Sequence, residues 1–448
     1  MTEQKPKRQT TAKSSEGITR LTVGGFKSIN QEQSIEIRPL TVLAGANSSG
    51  KSSIMQPLLL LKQTLEATYD PGALLLNGPN VRFTSVDQPL SRTLGGKTLE
   101  GFHVGIEVGD RASVATHFKK SEKKGFDVEE TTYQFDKGQY RLYEGMPRNE
   151  LLTAFSAVVA TGPFENHMSD VTLIRNRCFL TMSRQTDLTQ EDYAIFTLTV
   201  PMPGERIVGY YIRQMIHLPG LRGNPERTYP ITAVSPEFPG TFENYVASVI
   251  GQWQVEGTWD KLEKTNHDLA RLGLAGKVVA KAIDDTQVEL QVNRLPGNSK
   301  DGIEDMVSIA DVGLGISQTL PVIVALHAAD DGQLIYLEQP EIHLHPRAQA
   351  AMAEVLADAA SQGKRLVVET HSSLLLRGVQ TLVAEGKLAP ELVKLHWFTL
   401  REDGSTEITS ADLDETGAFG EWPEDFDTIT LDAESRYLDA AEARLRGK

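Results

Sequence analysis

Short apolar segments rich in β-branched residues alternate with polar turns near the N terminus. Residues 21–23, 35–37 and 40–43 have this pattern, with glycine or proline between them. Such segments are typical of β-strands. A longer apolar pattern runs from residue 51 to about residue 67, directly after a glycine-rich loop. The sequence therefore predicts three strands, a loop and a helix, in this order.

The middle of the chain carries weaker patterns. Residues 102–143 alternate between apolar and polar positions and contain Gly-Asp and Asp-Lys-Gly turns, which predict antiparallel hairpins. A helix is predicted at 259–272 and a further hairpin at 278–292. Residues 145–250 have the least regular pattern, and the glycine and proline residues within 219–229 predict a loop there.

Helix and strand patterns alternate in the C-terminal third of the chain, from residue 303 to residue 376. This alternation predicts a parallel α/β sheet. The N-terminal strands are expected to belong to the same sheet, which is then interrupted in sequence. The predicted elements are a helix at 316–329, a strand at 333–337, a helix at 347–360, a strand at 365–368 and a helix from residue 373 onward.

Composition and charge narrow the possible classes of protein. The chain has 448 residues, of which 40% are hydrophobic, and this is enough for two or three domains with buried cores. Its formal net charge of -15 argues against a basic surface for sequence-independent binding of nucleic acid. Its single cysteine, Cys178, cannot form an intramolecular disulfide. No apolar run approaches the roughly 20 residues of a membrane helix, so a cytoplasmic protein is expected. The polar residues at 1–17 are expected to form a disordered tail.

A phosphate-binding motif lies between the strand predicted at 40–43 and the helix that follows. The sequence Gly-Ala-Asn-Ser-Ser-Gly-Lys-Ser at 45–52 matches G-x-x-x-x-G-K-[ST] in the strand–loop–helix context that this motif requires. Backbone N–H groups of such a P-loop surround a phosphate, the lysine reaches the β- and γ-phosphate oxygens, and the serine hydroxyl faces Mg²⁺. The predicted nucleotide-binding residues are Gly45, Asn47, Ser48, Ser49, Gly50, Lys51, Ser52 and Ser53.

An acidic motif follows the apolar strand predicted at 333–337. A carboxylate at the end of such a strand coordinates Mg²⁺ beside a P-loop, so Glu338 and Ser52 are the predicted metal ligands. Gln339 comes next, and an amide cannot act as a general base. Two explanations stay open: Glu341 acts as the base, or hydrolysis is slow and the ATP-bound state is long-lived.

A histidine follows the strand predicted at 365–368. Ligands of α/β proteins bind at the carboxyl ends of parallel strands, and His371 lies just beyond such an end. We therefore expect His371 to hydrogen-bond the γ-phosphate or the attacking water.

A glycine-rich turn containing Gly313, Gly315 and Ser317 opens the helix predicted before the acidic strand. The exposed N–H groups at the start of a helix favour a phosphate. The P-loop already supplies such a site in its own chain. This turn is therefore predicted to bind the γ-phosphate that a second subunit holds.

Five segments taken together resemble one family. They are Phe-Lys-Ser at 26–28, the loop at 45–52, the turn at 311–321, Leu-Glu-Gln-Pro-Glu-Ile-His-Leu-His-Pro at 337–346 and Thr-His-Ser at 370–372. Over residues 18–376 they are similar to the ABC-type AAA ATPases of the OLD (overcoming lysogenization defect) and RecF-like group. The run at 337–346 and the residues at 417–427 resemble a bacterial branch of this group that ends in a small domain of unknown function.

The resemblance implies an α/β fold, that of an ABC/RecF-like P-loop ATPase head with a β-rich N-terminal lobe and an α/β C-terminal lobe. The 77 residues after His371 are too few for the TOPRIM nuclease domain of OLD nucleases together with the strand-rich closing segment. The expected division is a tail at 1–17, an N-terminal ATPase lobe at 18–100, a β-rich and helical insertion at 101–300, a C-terminal ATPase lobe at 301–390 and a small domain at 391–448.

The resemblance also implies roles for particular residues. Heads of this family dimerise with ATP between the P-loop of one subunit and a signature segment of the other, and here Gly315 matches the signature glycine. Lys51, Ser52 and Glu338 match the phosphate and Mg²⁺ ligands, and His371 matches the switch histidine.

Two positions depart from the family pattern. Gly313 stands at the signature serine position, and Gln339 stands at the position of the catalytic glutamate. The first departure affects contacts with the second subunit, and the second affects the rate of turnover.

Three functions agree with this reading. The leading hypothesis is an ATP- and Mg²⁺-dependent ATPase that forms a homodimer or a higher even oligomer and controls a separate effector, a nuclease or toxin, in anti-phage defence. The alternative is a RecF-like repair or maintenance ATPase that binds DNA directly. The third is a module that holds ATP without hydrolysing it.

Overall fold

The N-terminal part of the chain forms an antiparallel sheet and the start of a second sheet. The computed structural model describes residues 16–93, 95–136, 138–159, 171–187, 195–293 and 305–420, and also residues 435, 436 and 438. The first elements are β1 (Ile18–Gly24), β2 (Gln33–Glu36), β3 (Leu40–Gly45), α1 (Lys51–Glu66), β4 (Gly101–Val108), β5 (Ala112–Lys120), β6 (Phe126–Phe135) and β7 (Gly138–Tyr143). Antiparallel pairing in the order β2-β1-β4-β5-β6-β7 confirms the predicted hairpins.

The middle of the chain contains short strands between helices. Its elements are α2 (Arg148–Val159), β8 (Val171–Asn176), β9 (Phe179–Asp187), β10 (Ile195–Val200), α3 (Pro203–Gln214), β11 (Ile216–Leu218), β12 (Tyr229–Pro230), α4 (Val246–Glu256), α5 (Trp259–Arg271), β13 (Val278–Ala282), β14 (Gln287–Asn293) and β15 (Met306–Ser308). The helix predicted at 259–272 and the hairpin predicted at 278–292 are confirmed by α5, β13 and β14.

The C-terminal third has the predicted alternation of helix and strand. Its elements are α6 (Leu314–Ala328), β16 (Leu334–Glu338), α7 (Pro346–Ser361), β17 (Arg365–Glu369), α8 (Ser373–Ala384), β18 (Val393–Leu400) and β19 (Thr406–Ala411). Short 3-10 helices occupy Phe242–Tyr245, Ile309–Asp311 and Pro390–Leu392.

One sheet joins strands from both ends of the chain, in the order β11-β16-β17-β3-β18-β19. All its pairs are parallel except β18 with β19. The carboxyl ends of β3, β16 and β17 therefore meet at one edge. This arrangement confirms the prediction of one α/β sheet interrupted in sequence.

The segment expected to begin a separate small domain at residue 391 contains β18 and β19, which are strands of this central sheet. The other boundaries of the predicted division stay predictions. The disordered tail predicted at 1–17 falls outside the described residues, apart from its last two positions. Most of the closing pattern at 417–427 also lies outside them.

The two faces of the central sheet are covered differently. Alternate strand residues point to opposite faces, so Leu43, Tyr336 and Val367 face α1 and the antiparallel sheet. Val42 and Leu337 face the other way, toward α4–α8. Both faces are therefore buried, and the polar groups that are free to act are concentrated at the ends of the strands.

Stability is predicted to fall in mild acid because of His396 on β18. Burial lowers the pKa of His396 from 6.5 to about 4, and its side chain is 1% exposed. The neutral ring is bonded to the Ser410 hydroxyl and the Glu36 carbonyl, both at 2.8 Å. His396 takes up a proton near pH 6.5 in the unfolded chain and only near pH 4 in the folded chain. The contribution of neutral His396 to the free energy of unfolding is therefore complete above pH 6.5 and is lost as the pH falls toward 4.

The loss should reach about 3 kcal/mol, at about 1.4 kcal/mol per pKa unit. Urea unfolding at pH 7.5 and pH 4.5 measures it, with His396→Gln as the reference, because an amide keeps a polar group there without titrating. An equal pH dependence in the two proteins would contradict the assignment.

Candidate nucleotide-binding site

The P-loop turns back on itself through unusual backbone angles. Gly45 and Gly50 have φ angles of 143° and 100°, and Ser48 lies in the left-handed region at 61°. A Cβ atom at Gly45 would lie 2.3 Å from the Phe398 carbonyl oxygen on β18. Glycine is therefore required at the start of the loop by both conformation and space. Ala46, Asn47 and Ser48 are exposed, so the tip of the loop is open to an approaching anion.

The first residue of β19, Thr406, also holds the loop in place. Thr406 Oγ1 donates to the Ser49 carbonyl oxygen at 2.8 Å and lies 2.7 Å from Ser28 Oγ. A Cβ atom at Gly50 would lie 2.2 Å from Thr406 Oγ1. The Phe-Lys-Ser segment at 26–28 and the β18–β19 hairpin thus brace the P-loop from outside.

Lys51 directs its amine into the loop. Its Nζ donates to the carbonyl oxygens of Gly45 at 3.0 Å and Ala46 at 2.7 Å, and the residue is 3% exposed. Burial lowers the pKa of Lys51, and the charge of Glu369 partly opposes this shift. A buried ammonium aimed at a loop of exposed backbone is suited to bind a phosphate.

Ser52 faces the end of β17. Its Oγ lies 3.0 and 2.9 Å from the two carboxylate oxygens of Glu369, and within the described part of the chain it has no hydrogen bond to Glu338. Ser49 is fully buried, and its hydroxyl has no hydrogen-bond partner among the described residues. Ser53 is also buried, at the start of α1.

Glu338 is the last residue of β16 and contacts β11 and the loop that follows it. Its carboxylate accepts from His217 Nε2 at 3.0 Å and from the Gly220 backbone N–H at 3.2 Å. Burial alone would raise its pKa, but these hydrogen bonds and the charge of Arg222 outweigh burial and keep the pKa of Glu338 below its usual value. Glu338 is thus an ionised, fixed carboxylate at the edge of the sheet.

The tautomer of His217 follows from its neighbours. Asn80 Nδ2 donates to the Gly240 carbonyl at 2.9 Å and lies 3.1 Å from His217 Nδ1. Because an amide nitrogen only donates, Nδ1 accepts and Nε2 carries the proton. His217 therefore donates to Glu338 through Nε2, and its ring stacks on that of Tyr336 with the ring centroids 5.4 Å apart.

Arg222 joins the acidic strand to α6. Its guanidinium donates to the carbonyl oxygen of Glu338 at 3.0 Å and to that of Gln318 at 2.9 Å. The Gln318 amide donates back to the carbonyl oxygens of Arg222 and Gly223. Burial lowers the pKa of Arg222 from 12.5 to about 10.

Gln339 and Glu341 follow the strand end in a tight turn. Gln339 has a φ of 44°, and its backbone N–H donates to the Glu369 carbonyl at 2.7 Å. Glu341 Oε1 accepts from Thr370 Oγ1 at 2.7 Å and from the His371 backbone N–H at 2.9 Å, whereas its Oε2 is buried without a partner among the described residues. Glu341 thus fixes the backbone at His371.

His371 lies beside the P-loop. Burial and then the charge of Lys51 lower its pKa, while a hydrogen bond with the Gly45 backbone opposes the shift. The ring is therefore neutral at pH 7. His371 thus lies next to Lys51 and Gly45 of the P-loop, and its contact with a phosphate stays a prediction.

The glycine-rich turn starts α6 without a bond to the loop at 45–52. Among the described residues, no hydrogen bond or ion pair joins residues 313–317 to that loop. Ser317 Oγ bonds only the Leu314 carbonyl in its own helix. A Cβ atom at Gly313 would meet nothing within 4 Å, and one at Gly315 would make ordinary contacts at 3.5 Å with His343 and Leu274.

Sequence reasoning missed several groups of this site. The strand predicted at 365–368 stops just before Glu369, and Tyr336 is only an apolar position of the strand predicted at 333–337. His217 and Arg222 lie in and beside the predicted loop at 219–229, about 120 residues before Glu338. The available signal was a segment rich in glycine, proline and arginine at 219–227, and the pairing of β11 with β16 brings it to the site.

No group of three or more His, Cys, Asp or Glu side chains in the described ranges is arranged to hold a metal by itself. Mg²⁺ bound beside a P-loop needs fewer protein ligands, because phosphates and waters supply the others. None of the helices described is long and apolar enough to cross a bilayer.

The P-loop, the buried lysine and the acidic strand end at one edge of an α/β sheet define a P-loop ATPase. The model of one family, described as "AAA domain, putative AbiEii toxin, Type IV TA system", matches residues 40–158 and 217–377. These residues are more than half of the chain, and the chain belongs to this family. The predicted α/β P-loop fold and the predicted ATPase class are confirmed.

Solved structures with similar folds include heads of SMC proteins. An SMC head bound to the C-winged helix domain of ScpA is 14% identical, with 89% of this chain and 98% of that chain covered at a TM-score of 0.46. The SMC head of Thermotoga maritima is 12% identical, with 88% and 98% covered at 0.40. An Smc head from Pyrococcus furiosus, bound to the C-terminal domain of ScpA, is 12% identical, with 88% and 96% covered at 0.46. No curated protein matches the chain.

Proposed function

We propose that the chain is an ABC-type ATPase of the OLD and RecF-like group that dimerises on ATP and regulates a separate effector in anti-phage defence. The family description, which names a toxin of a toxin–antitoxin system, supports a defence role. The net charge of -15 supports a protein partner over direct binding to DNA. The effector is a nuclease or toxin encoded on another chain.

The donor set at the sheet edge fits a magnesium nucleotide. Backbone N–H groups of the loop and Lys51 Nζ bind phosphate oxygens, and Ser52 Oγ and Glu338 supply the hard oxygen ligands that Mg²⁺ prefers. When bound, Mg²⁺ neutralises charge on the phosphates. The protein holds Glu338 ionised through His217 and Gly220, so the ligand is ready before nucleotide arrives.

Hydrolysis is proposed to be slow, and the ATP-bound state long-lived. Gln339 can orient a water but cannot accept its proton. Oε1 of Glu341 accepts from the Thr370 hydroxyl and from the His371 backbone N–H, and we propose that Glu341 acts through these bonds as a positioning residue. The second bond holds the backbone at His371, and we propose that the His371 ring, beside Lys51, faces the γ-phosphate or the attacking water.

The observation that carries the dimer proposal is the freedom around Gly313 and Gly315. Neither glycine has a positive φ, and a Cβ atom would fit at both. The fold of one subunit therefore does not require glycine at either position. Bare backbone at the start of a helix, beside Leu314 at 44% exposure, suits close approach by a phosphate held in a second subunit.

Replacing Gly315 by tryptophan should prevent ATP-induced dimer formation while leaving ATP binding intact. The indole would occupy the space in which the second subunit's γ-phosphate lies. Light scattering with a non-hydrolysable ATP analogue should give the mass of two chains for the unmodified protein and of one chain for Gly315→Trp. Gly95→Trp is the matched control, because Gly95 is exposed, has an ordinary φ and has room for a side chain. A normal dimer of Gly315→Trp would reject the shared site.

The effector proposal has its own test. The untagged protein, purified from its native cells, should carry a second protein in fixed ratio, and ATP should change the activity of that protein. Salt-dependent binding of duplex DNA by the isolated ATPase, with no associated protein, would favour the RecF-like alternative instead.

A further inference from the structure

Glu369 and Glu338 lie side by side at the edge of the central sheet. The two residues are direct partners in the parallel pairing of β16 with β17. Their side chains share a face with Tyr336 and Val367, because strand residues two apart point the same way. That face packs against α1, whose first turn contains Ser52. Two carboxylates at neighbouring strand ends and the P-loop serine therefore lie on the same side of the sheet.

The carboxylate of Glu369 is buried and lacks a cation in contact. Glu369 is 5% exposed. Its hydrogen-bond donors are the Ser52 hydroxyl at 2.9 and 3.0 Å and the Tyr336 hydroxyl at 2.9 Å, and both are neutral. No ion pair within 4.0 Å reaches it among the described residues. A buried carboxylate beside a second one is unfavourable unless positive charge is supplied.

The direction of the Ser52 hydrogen bond shows what the pair can do. When the hydroxyl donates its proton to Glu369, the lone pairs of Oγ stay free for a cation. The bond therefore orients Ser52 as a metal ligand, as outer carboxylates commonly orient metal ligands. Oxygen donors of this kind suit a hard divalent cation such as Mg²⁺, which uses one or two carboxylates together with phosphates and water.

We propose that Glu369 is the second acidic group of the divalent-cation site, and that it orients Ser52 while it shares with Glu338 the negative charge that holds the cation. Tyr336 is a positioning residue, because its hydroxyl donates to Oε2 of Glu369. This inference rests on the proposed binding of Mg²⁺-nucleotide. It adds a residue that matches neither the P-loop motif nor the acidic motif at 338–341.

Glu369→Gln separates charge from hydrogen bonding. The amide oxygen can still accept from Ser52 or Tyr336, so the variant mainly removes the negative charge. The experiment follows thermal unfolding of the full chain, first without ligand and then with a saturating non-hydrolysable ATP analogue over a range of Mg²⁺ concentrations. Glu402→Gln, at an exposed turn, is the matched control.

Glu369→Gln should change both the unfolding temperature without ligand and the Mg²⁺ requirement with nucleotide. Without ligand, Glu369→Gln should unfold at the same temperature as the unmodified protein or higher, because a buried negative charge beside a second carboxylate is gone. The Mg²⁺ concentration that gives half of the nucleotide-dependent stabilisation should rise about 10-fold or more. Tyr336→Phe keeps the charge, so its Mg²⁺ requirement should change less than that of Glu369→Gln.

The remaining outcomes are decisive. An unchanged Mg²⁺ midpoint in Glu369→Gln would overturn the assignment while leaving nucleotide binding in place. A variant that unfolds at clearly lower temperature without ligand, or does not fold, would make Glu369 a structural acceptor and would also overturn it. If the unmodified protein gains no stability from nucleotide, the proposed function itself fails.

Discussion

A chain carrying Lys51→Ala is expected to lose nearly all affinity for ATP. Lys51 supplies the buried ammonium that points into the P-loop, 2.7–3.0 Å from two of its carbonyl oxygens. In the proposed complex the ammonium pairs with phosphate oxygens of ATP. Removing one member of such a buried charge pair costs about 3–4 kcal/mol, which is a loss of about 100- to 1,000-fold in affinity. Equilibrium dialysis with radiolabelled ATP measures this directly.

The fold itself should survive the substitution. Burial disfavours the charged form of Lys51, as its lowered pKa indicates, so removal of the amine relieves an unfavourable burial. The unfolding temperature should therefore stay close to that of the unmodified protein. Lys124→Ala, in an exposed turn, is the control and should bind ATP normally. Retained affinity in Lys51→Ala would refute the P-loop assignment.

Glu338→Gln is expected to bind ATP but to turn it over about 100- to 1,000-fold more slowly. The amide has nearly the shape of the carboxylate and can still accept the hydrogen bond from His217. It lacks the negative charge of a metal ligand, and metal-assisted charge stabilisation contributes several kcal/mol to such reactions. Phosphate release at saturating ATP and Mg²⁺ measures the rate.

Binding without Mg²⁺ supplies the comparison. In that condition Glu338→Gln should match the unmodified protein, because the carboxylate is proposed to contact the cation and not the phosphates. Glu402→Gln should leave both quantities unchanged. Turnover by Glu338→Gln within a few-fold of normal would show that another acid holds the metal.

The sequence predicted those parts of the fold whose pattern is long and local. β3, the P-loop and α1 follow from one motif, and α5, α6, α7 and α8 follow from apolar spacing over 12 to 16 residues. Between residues 145 and 250 the same reasoning had little to use. β11 has three residues and β12 has two, which is too short for any periodicity.

The order of strands could not be predicted from local pattern. β17 lies between β3 and β16, and that position brings Glu369 next to both Ser52 and Glu338. The relation depends on pairing register between segments more than 300 residues apart. Composition and spacing carry no information on such a register.

The residues of the candidate site also fall into those that belong to a sequence motif and those that do not. Lys51, Glu338 and His371 belong to motifs whose spacing reveals a chemical role. His217 and Tyr336 have no such motif, because one is a single histidine in a short strand and the other is a buried aromatic residue. Their roles follow from contacts with carboxylates, and those contacts exist only in the folded chain.

The central claim is that two subunits build each ATP site, and mixing two variants tests it most directly. Lys51→Ala breaks the P-loop and leaves residues 313–317 intact, whereas Gly315→Trp does the reverse. Each variant alone should be inactive, because Lys51→Ala binds little ATP and Gly315→Trp does not dimerise on ATP. In an equal mixture, each mixed dimer contains one site with both halves intact and one with neither, so up to about half of the normal ATPase rate should return. No recovery from two folded variants, or a normal rate from Gly315→Trp alone, would contradict the shared site.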